Sequence, residues 1–207
     1  FNYSAINNFG VKEAKGDYLL FLNNDIEVVS PEWLSHMLGY CQHEDVGAVG
    51  ARLYYPDDTI QHVGVILGMG GVAGHAFSGL YEEEVYRAKS KFVSDYSAVT
   101  AACMMVKRRI FDEVGGLEEE LTVAYNDIDL CLKMGEAGYR IVYTPYAVAY
   151  HHESKSRGKE NTPEKKARLQ RESSYMLAKW KDIFEYGDPY YNPNFSKKRM
   201  DYTIDRV

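Results

Sequence analysis

At 207 residues the chain can bury a core as one domain, and 45% hydrophobic with 26% charged residues is a globular balance that excludes disorder and fibrous repeats. A formal net charge of −6 excludes the basic face with which nucleic-acid binders neutralise phosphates, so no nucleic-acid partner is expected. Cys41, Cys103 and Cys131 lie far apart in apolar runs without C-x-x-C spacing, which excludes a zinc ribbon and predicts buried free thiols in a reducing cytosol.

Residues 4–14 place Ala5, Ile6, Phe9 and Ala14 at mostly helical spacing, and Lys15-Gly16-Asp17 supplies a stop. The run Tyr18-Leu19-Leu20-Phe21-Leu22 predicts a central strand covered on both faces and ended by Asn23-Asn24-Asp25. That triplet then occupies a strand's carboxyl end, where open α/β sheets bind ligands. Ser30-Pro31-Glu32 has the form of a helix start, with an N-cap hydroxyl and a proline in the first turn, and Trp33, Leu34, Met37, Leu38 and Cys41 mark its inward face. Strands are predicted over 46–53 and 61–67. Gly68-Met69-Gly70-Gly71-Val72-Ala73 spells G-x-G-x-x-A, but no periodic helix follows, so a flexible hairpin or lid replaces the dinucleotide reading. Residues 75–91 have no period and are expected to form a flexible excursion.

A buried strand is predicted over 97–106, a short helix over 108–114, and a longer helix capped by Asn126 or Asp127 and stopped by Gly138. Strands over 139–143 and 148–150 flank Thr144-Pro145, and a helix over 163–184 precedes a tyrosine-rich coil. No apolar stretch approaches the ~20 residues that span a bilayer, and the opening residues lack signal-peptide features. With no initiator Met, the chain is expected to be a piece of something longer.

Three groups carry candidate chemistry. Asp25, flanked by Asn23 and Asn24, offers a hard oxygen ligand, and Mg²⁺ or Mn²⁺ needs only one or two protein carboxylates when the substrate brings phosphates. The triplet by itself is equally good turn chemistry. Asn126-Asp127-Ile128-Asp129 places two acids two apart at a helix start, so one at most faces a given site, and such acids also simply complement the helix dipole. His151 and His152 end a strand on opposite faces, so one of the pair reaches a site on either face.

In their order along the chain these features resemble glycosyltransferase family 2. Asn8-Phe9-Gly10 and Ala14-Lys15-Gly16-Asp17-Tyr18-Leu19-Leu20-Phe21-Leu22 are similar to the segments that precede the family's D-x-D motif, over about 2–156, nearest to bacterial enzymes that extend surface polysaccharides. The resemblance implies an α/β GT-A fold, N-terminally truncated, with a mixed and mostly parallel sheet flanked by helices. It implies a catalytic portion over 1–160 and a C-terminal helix and tail over 161–207.

It further implies that Asp25 and His151 contact Mn²⁺ or Mg²⁺, with His152 the fallback ligand, and that Asn23 stands where the family more often has Asp. Asn23, Asn24, Lys155 and Arg157 would face the donor's diphosphate, and Asp127 would be the general base. His62, Ala101, Ala102, Asn126, Asp129 and His152 would border the sugar or acceptor pocket, although simple sheet packing is the favoured role for His62 and the alanine pair. The implied partners are a nucleotide-diphosphate sugar and a saccharide or lipid-linked acceptor. The expected location is cytoplasmic, at or near the inner face of the membrane. A module that binds carbohydrate or a partner without turnover, and a metal-dependent phosphoesterase, remain open at this level.

Overall fold

In the computed structural model, which describes residues 1–153 and 162–205, the apolar runs pair into a mixed sheet with helices on its faces. The elements run α1 (Tyr3–Glu13), β1 (Tyr18–Leu22), β2 (Ile26–Val28), α2 (Trp33–Cys41), β3 (Val46–Tyr54), β4 (Ile60–His62), β5 (Val65–Leu67) and β6 (Ala73–His75). They continue through β7 (Ser94–Tyr96), β8 (Cys103–Lys107), α3 (Arg108–Glu113), α4 (Asn126–Glu136), β9 (Arg140–His151), α5 (Pro163–Lys179) and α6 (Lys181–Tyr186). The strand order is β1-β8-β3-β9-β2, with β4 added to β3 and β7 to β9, while β5 and β6 form a separate ribbon.

The expectation of a mostly parallel sheet is corrected. Among the described residues only β3 with β9 is a parallel pair. Parallel neighbours need a long covering crossover, and apolar runs do not encode strand direction. β1 is likewise the end strand of this path, with Leu19 and Phe21 buried and Tyr18 and Leu22 exposed. Two apolar layers enclose the sheet, one around Phe21, Met104, Ile110 and Leu130, the other around Met37, Cys41, Val49 and Met105 under α2.

Several local devices differ from the sequence reading. α1 is capped by Asn2 Oδ1, which accepts from Ala5 N–H at 3.0 Å, yet it turns Ser4 and Val11 inward and leaves Ile6 and Phe9 exposed. Ser30 does not cap α2. Its hydroxyl instead donates to Tyr146 O at 3.0 Å and accepts from Val148 N–H at 2.9 Å, tying β9 to the start of the helix. The predicted strand over 61–67 breaks in two at Gly64, whose φ of +130° only glycine adopts readily and where a Cβ would meet the Tyr96 ring at 2.4 Å.

The stretch 75–91 is anchored: Arg52 pairs with Glu82 at 3.4 Å and donates to Ser90 O at 2.7 Å, and Tyr143 OH donates to the same carbonyl at 2.6 Å. β9 is continuous, absorbing residues 145–147 in a register shift against β3. The tyrosine-rich tail is packed, with Tyr202 stacked on Phe77 at 4.4 Å and Asp188 accepting from Leu67 N–H at 2.7 Å and Ser97 Oγ at 2.8 Å.

Candidate active site

The backbone brings the strand-end triplet to the last residues of β9. Asn23 N–H donates to Ala102 O at 2.9 Å, β2 pairs Ile26 with His151, and His152 N–H donates to Asp25 O at 2.9 Å. Asp25 Oδ1 thereby lies 3.1 Å from His151 Nε2. The other ring nitrogen, Nδ1, lies 2.6 Å from Gln61 Oε1. Gln61 is oriented by its amide nitrogen, which donates to His151 O at 3.4 Å and Glu153 Oε2 at 3.3 Å. Its oxygen must therefore accept, so the ring proton sits on Nδ1 and Nε2 presents a lone pair.

Burial holds the His151 pKa below its ordinary value, against the opposing pull of Asp25 and Glu153, so the ring is neutral near pH 7. Asn23 Nδ2 donates to Nε2 at 3.2 Å. Asp25 Oδ1 is buried and has no hydrogen-bond partner. Asp25 Oδ1 is thus left without a donor beside an imidazole nitrogen whose one lone pair is engaged only by the Asn23 amide, and a divalent cation displacing that amide would satisfy both. Among the described residues no group of three or more His, Cys, Asp or Glu is placed to hold a metal ion, so a cation held by this pair would take its remaining ligands from phosphate oxygens and water.

Across the cleft stands Asp127, in the first turn of α4. Its Oδ2 accepts from Ala101 N–H at 3.0 Å and its Oδ1 from Ile128 N–H at 2.9 Å. The helix begins not with an Asn or Asp cap but with Tyr125 in the left-handed region, φ 63°. Asn23, Asn24, Asp25, Ala101, Ala102, Asn126, Asp127 and His151 all line one open cleft of about 1040 Å³. The volume suits a ligand the size of a nucleotide sugar.

The structure takes other expected site residues away from that cleft. Asp129 is fully buried behind α4, where Trp180 Nε1 donates to it at 2.9 Å and Lys179 Nζ lies at 2.8 Å. Two residues along a helix from Asp127, it faces α5 instead. His152 faces outward and pairs with Glu27 at 2.9 Å. His62 is buried, donating to Ala51 O at 3.0 Å and accepting from Thr100 N–H at 3.2 Å, so it braces the wall that carries Ala101. Burial, helped by neighbouring His75, pushes its pKa down to about 3. Lys155 and Arg157 lie outside the described residues.

Sequence reasoning missed the roles of Gln61, Glu153, His75, Lys165 and Arg168, which also line the cleft. For Gln61 the available signal was a lone amide in an otherwise apolar strand. No spacing rule links position 61 to position 151.

The sequence matches the family described as "Glycosyltransferase like family 2" over residues 2–172. The chain belongs to glycosyltransferase family 2. It is 54% identical to protein y4gI of Sinorhizobium fredii over 207 residues, covering 99% of this chain and 23% of that protein. It is 40% identical to the O-antigen biosynthesis protein RfbC of Myxococcus xanthus over 209 residues, covering 100% of this chain and 16% of that one. The chain therefore spans less than a quarter of either relative.

Among solved structures, it superimposes on GalNAc-T7 with UDP, GalNAc and Mn²⁺ at a TM-score of 0.63 and 12% identity, covering 88% of this chain and 36% of that one. It superimposes on the mannosyltransferase PcManGT of Pyrobaculum calidifontis, in complex with GDP-Man and Mn²⁺, at 0.54 and 18%, covering 88% and 47%. At these identities the likeness shows the fold, which is GT-A.

Proposed function

We propose that this family 2 chain carries the cation-holding and base-bearing side of an inverting glycosyltransferase that moves a sugar from a nucleotide-diphosphate donor to a saccharide or lipid-linked hydroxyl. The observation that carries the reading is the unsatisfied Asp25 Oδ1 3.1 Å from His151 Nε2, in the same cleft as Asp127. Asp25 and His151 would hold Mn²⁺ or Mg²⁺, which when bound supplies leaving-group stabilisation at the diphosphate. Both structural neighbours were solved with Mn²⁺ and a nucleotide or nucleotide sugar, which agrees with that use.

The chain's own residues account for the remaining steps. Ala101 N–H and Ile128 N–H hold the Asp127 carboxylate in one orientation. Asp127 takes the proton from the acceptor hydroxyl as that oxygen bonds to the anomeric carbon. The bond from that carbon to the phosphate oxygen breaks on the opposite face, its electron pair leaves with the nucleotide diphosphate, and the configuration inverts. Ala101 and Ala102, both without bulk, leave room for the sugar ring. Asn23 and Asn24 offer amide donors to the diphosphate, and on the family resemblance Lys155 and Arg157 would add positive charge to it.

RfbC's name ties that relative to O-antigen biosynthesis, and a surface polysaccharide is the acceptor class we assign here. Nucleotide-sugar donors place the reaction on the cytoplasmic side, with the inner membrane face as the site of a lipid-linked acceptor. Among the described residues no helix is long and apolar enough to cross a membrane.

The test is nucleotide-diphosphate release from a panel of UDP-, GDP- and dTDP-sugars with Mn²⁺, with and without polysaccharide acceptor. Acceptor-dependent release, lowered by ~10²–10⁴ in Asp127→Asn with donor binding retained, is the expected result. Release without acceptor would mark a phosphoesterase, and binding without release a carbohydrate-binding module. Retained anomeric configuration in the product would reject the single displacement.

A further inference from the structure

α5 lies beyond the stretch expected to be catalytic, yet its middle reaches the loop that delivers Asp127. Glu172 is buried there, and its carboxylate accepts four hydrogen bonds from three consecutive residues. Oε1 takes Thr122 N–H at 2.9 Å, Thr122 Oγ at 2.6 Å and Val123 N–H at 3.1 Å, and Oε2 takes Ala124 N–H at 2.9 Å. The next residue is Tyr125, held at φ 63°, a conformation that a residue with a side chain keeps only when its surroundings impose it. Asn126 Nδ2 then donates back to Val123 O at 3.2 Å, and Asp127 follows.

α5 and its C-cap residue also grip the start of α4, through Ser173 Oγ on the N-cap Tyr125 OH at 3.3 Å and Trp180 Nε1 on Asp129 at 2.9 Å. From the other side Tyr3 N–H donates to Thr122 O at 2.7 Å. The loop before the base is thus held from both flanks. Its three successive peptide planes are fixed by one side chain.

We propose that Glu172 is a positioning residue for the general base: by holding Thr122, Val123 and Ala124 it imposes the Tyr125 conformation that aims Asp127 Oδ2 at Ala101 N–H and the cleft. The proposal rests on Asp127 being the base. It requires a carboxylate, because both oxygens accept and nothing at the position donates. Glutamine is nearly isosteric but turns an N–H toward an N–H.

The experiment compares wild type, Glu172→Gln and Asp127→Asn by native-state amide exchange and by nucleotide-diphosphate release. In Glu172→Gln, protection at residues 122–124 and at Ala101 is expected to fall at least tenfold while Val49 and Val142 in the β3-β9 pair keep theirs. kcat is expected to fall 10- to 100-fold with the donor KM within twofold, a split that general loosening would not produce. Unchanged protection at Ala101, or an unchanged kcat, overturns the proposal. If Glu172→Gln loses protection throughout, Thr122→Val, which removes only the hydroxyl donor, decides instead: protection at 123–124 and at Ala101 falls while Val49 and Val142 keep theirs, or the proposal fails. An Asp127→Asn variant that turns over at the wild-type rate rejects the base reading, while the Ala101 exchange still decides the brace.

Discussion

Replacing His62 by glutamine removes a titrating ring from a place where it cannot be charged. Glutamine can still donate to Ala51 O and accept from Thr100 N–H, so the wall under Ala101 keeps its bonds. In the folded chain burial pushes the His62 pKa to about 3, with His75 adding in the same direction, whereas an unfolded histidine titrates near 6.5. A base whose folded pKa is depressed contributes its full stability above the unfolded value. It loses that contribution as pH falls from about 6.5 toward 3, because only the unfolded state takes up the proton. The loss is about 1.4 kcal/mol per pH unit, hence about 3 kcal/mol between pH 7.5 and pH 4.5.

Urea unfolding followed by tryptophan fluorescence at pH 7.5, 6.5, 5.5 and 4.5 reads this directly. Wild type should be the more stable at pH 7.5 by about 1 kcal/mol, the worth of the better-fitted ring bonds. The gap should then close and reverse by pH 4.5. Taking the difference between the two proteins cancels every other titrating group. Parallel stability profiles across the range would refute the assignment of His62 as a buried neutral ring.

Gln61→Leu frees the His151 tautomer by removing the acceptor at Nδ1, so Mn²⁺ affinity measured by calorimetry with a nucleoside diphosphate present should weaken ~10- to 100-fold, and unchanged affinity would show that Gln61 does not orient the ring. Asp129→Asn loses the charge that Lys179 and Trp180 bind; since Lys179 is partly exposed and can turn to water, the cost should be about 2 kcal/mol, visible as a melting point lower by about 4–8 °C. Gly64→Ala meets both a φ of +130° and the Tyr96 ring, and denaturant unfolding should show about 3 kcal/mol or more lost, whereas a neutral result would contradict the close approach.

Much of the site was legible because its residues sit at element ends. Asp25 follows an apolar run, Asp127 opens a helix and His151 closes a strand, and each boundary is written locally in turn residues and in the change from apolar to polar. The misread features all involve partners distant in sequence. Ser30 had the right residue type for an N-cap, but Tyr146 and Val148, more than a hundred residues away, claim its hydroxyl. Ile6 and Phe9 share a helical stripe that faces outward, because Ser4 and Tyr3 bind the 121–122 backbone and set the rotation of α1.

Sequence by itself determined the main helices and the core strands β1, β3 and β9, the strand-end placement of Asp25 and His151, and the charge balance, since these depend on residues within a few positions of one another. Only the tertiary structure decided strand direction, the tautomer that Gln61 imposes on His151, the turning of Asp129 toward Trp180, and the hold of Glu172 on the loop before Asp127. Each of these is a hydrogen bond or a strand pairing between segments that local pattern leaves independent, and closing the chain into one fold is what brings such partners within 3 Å.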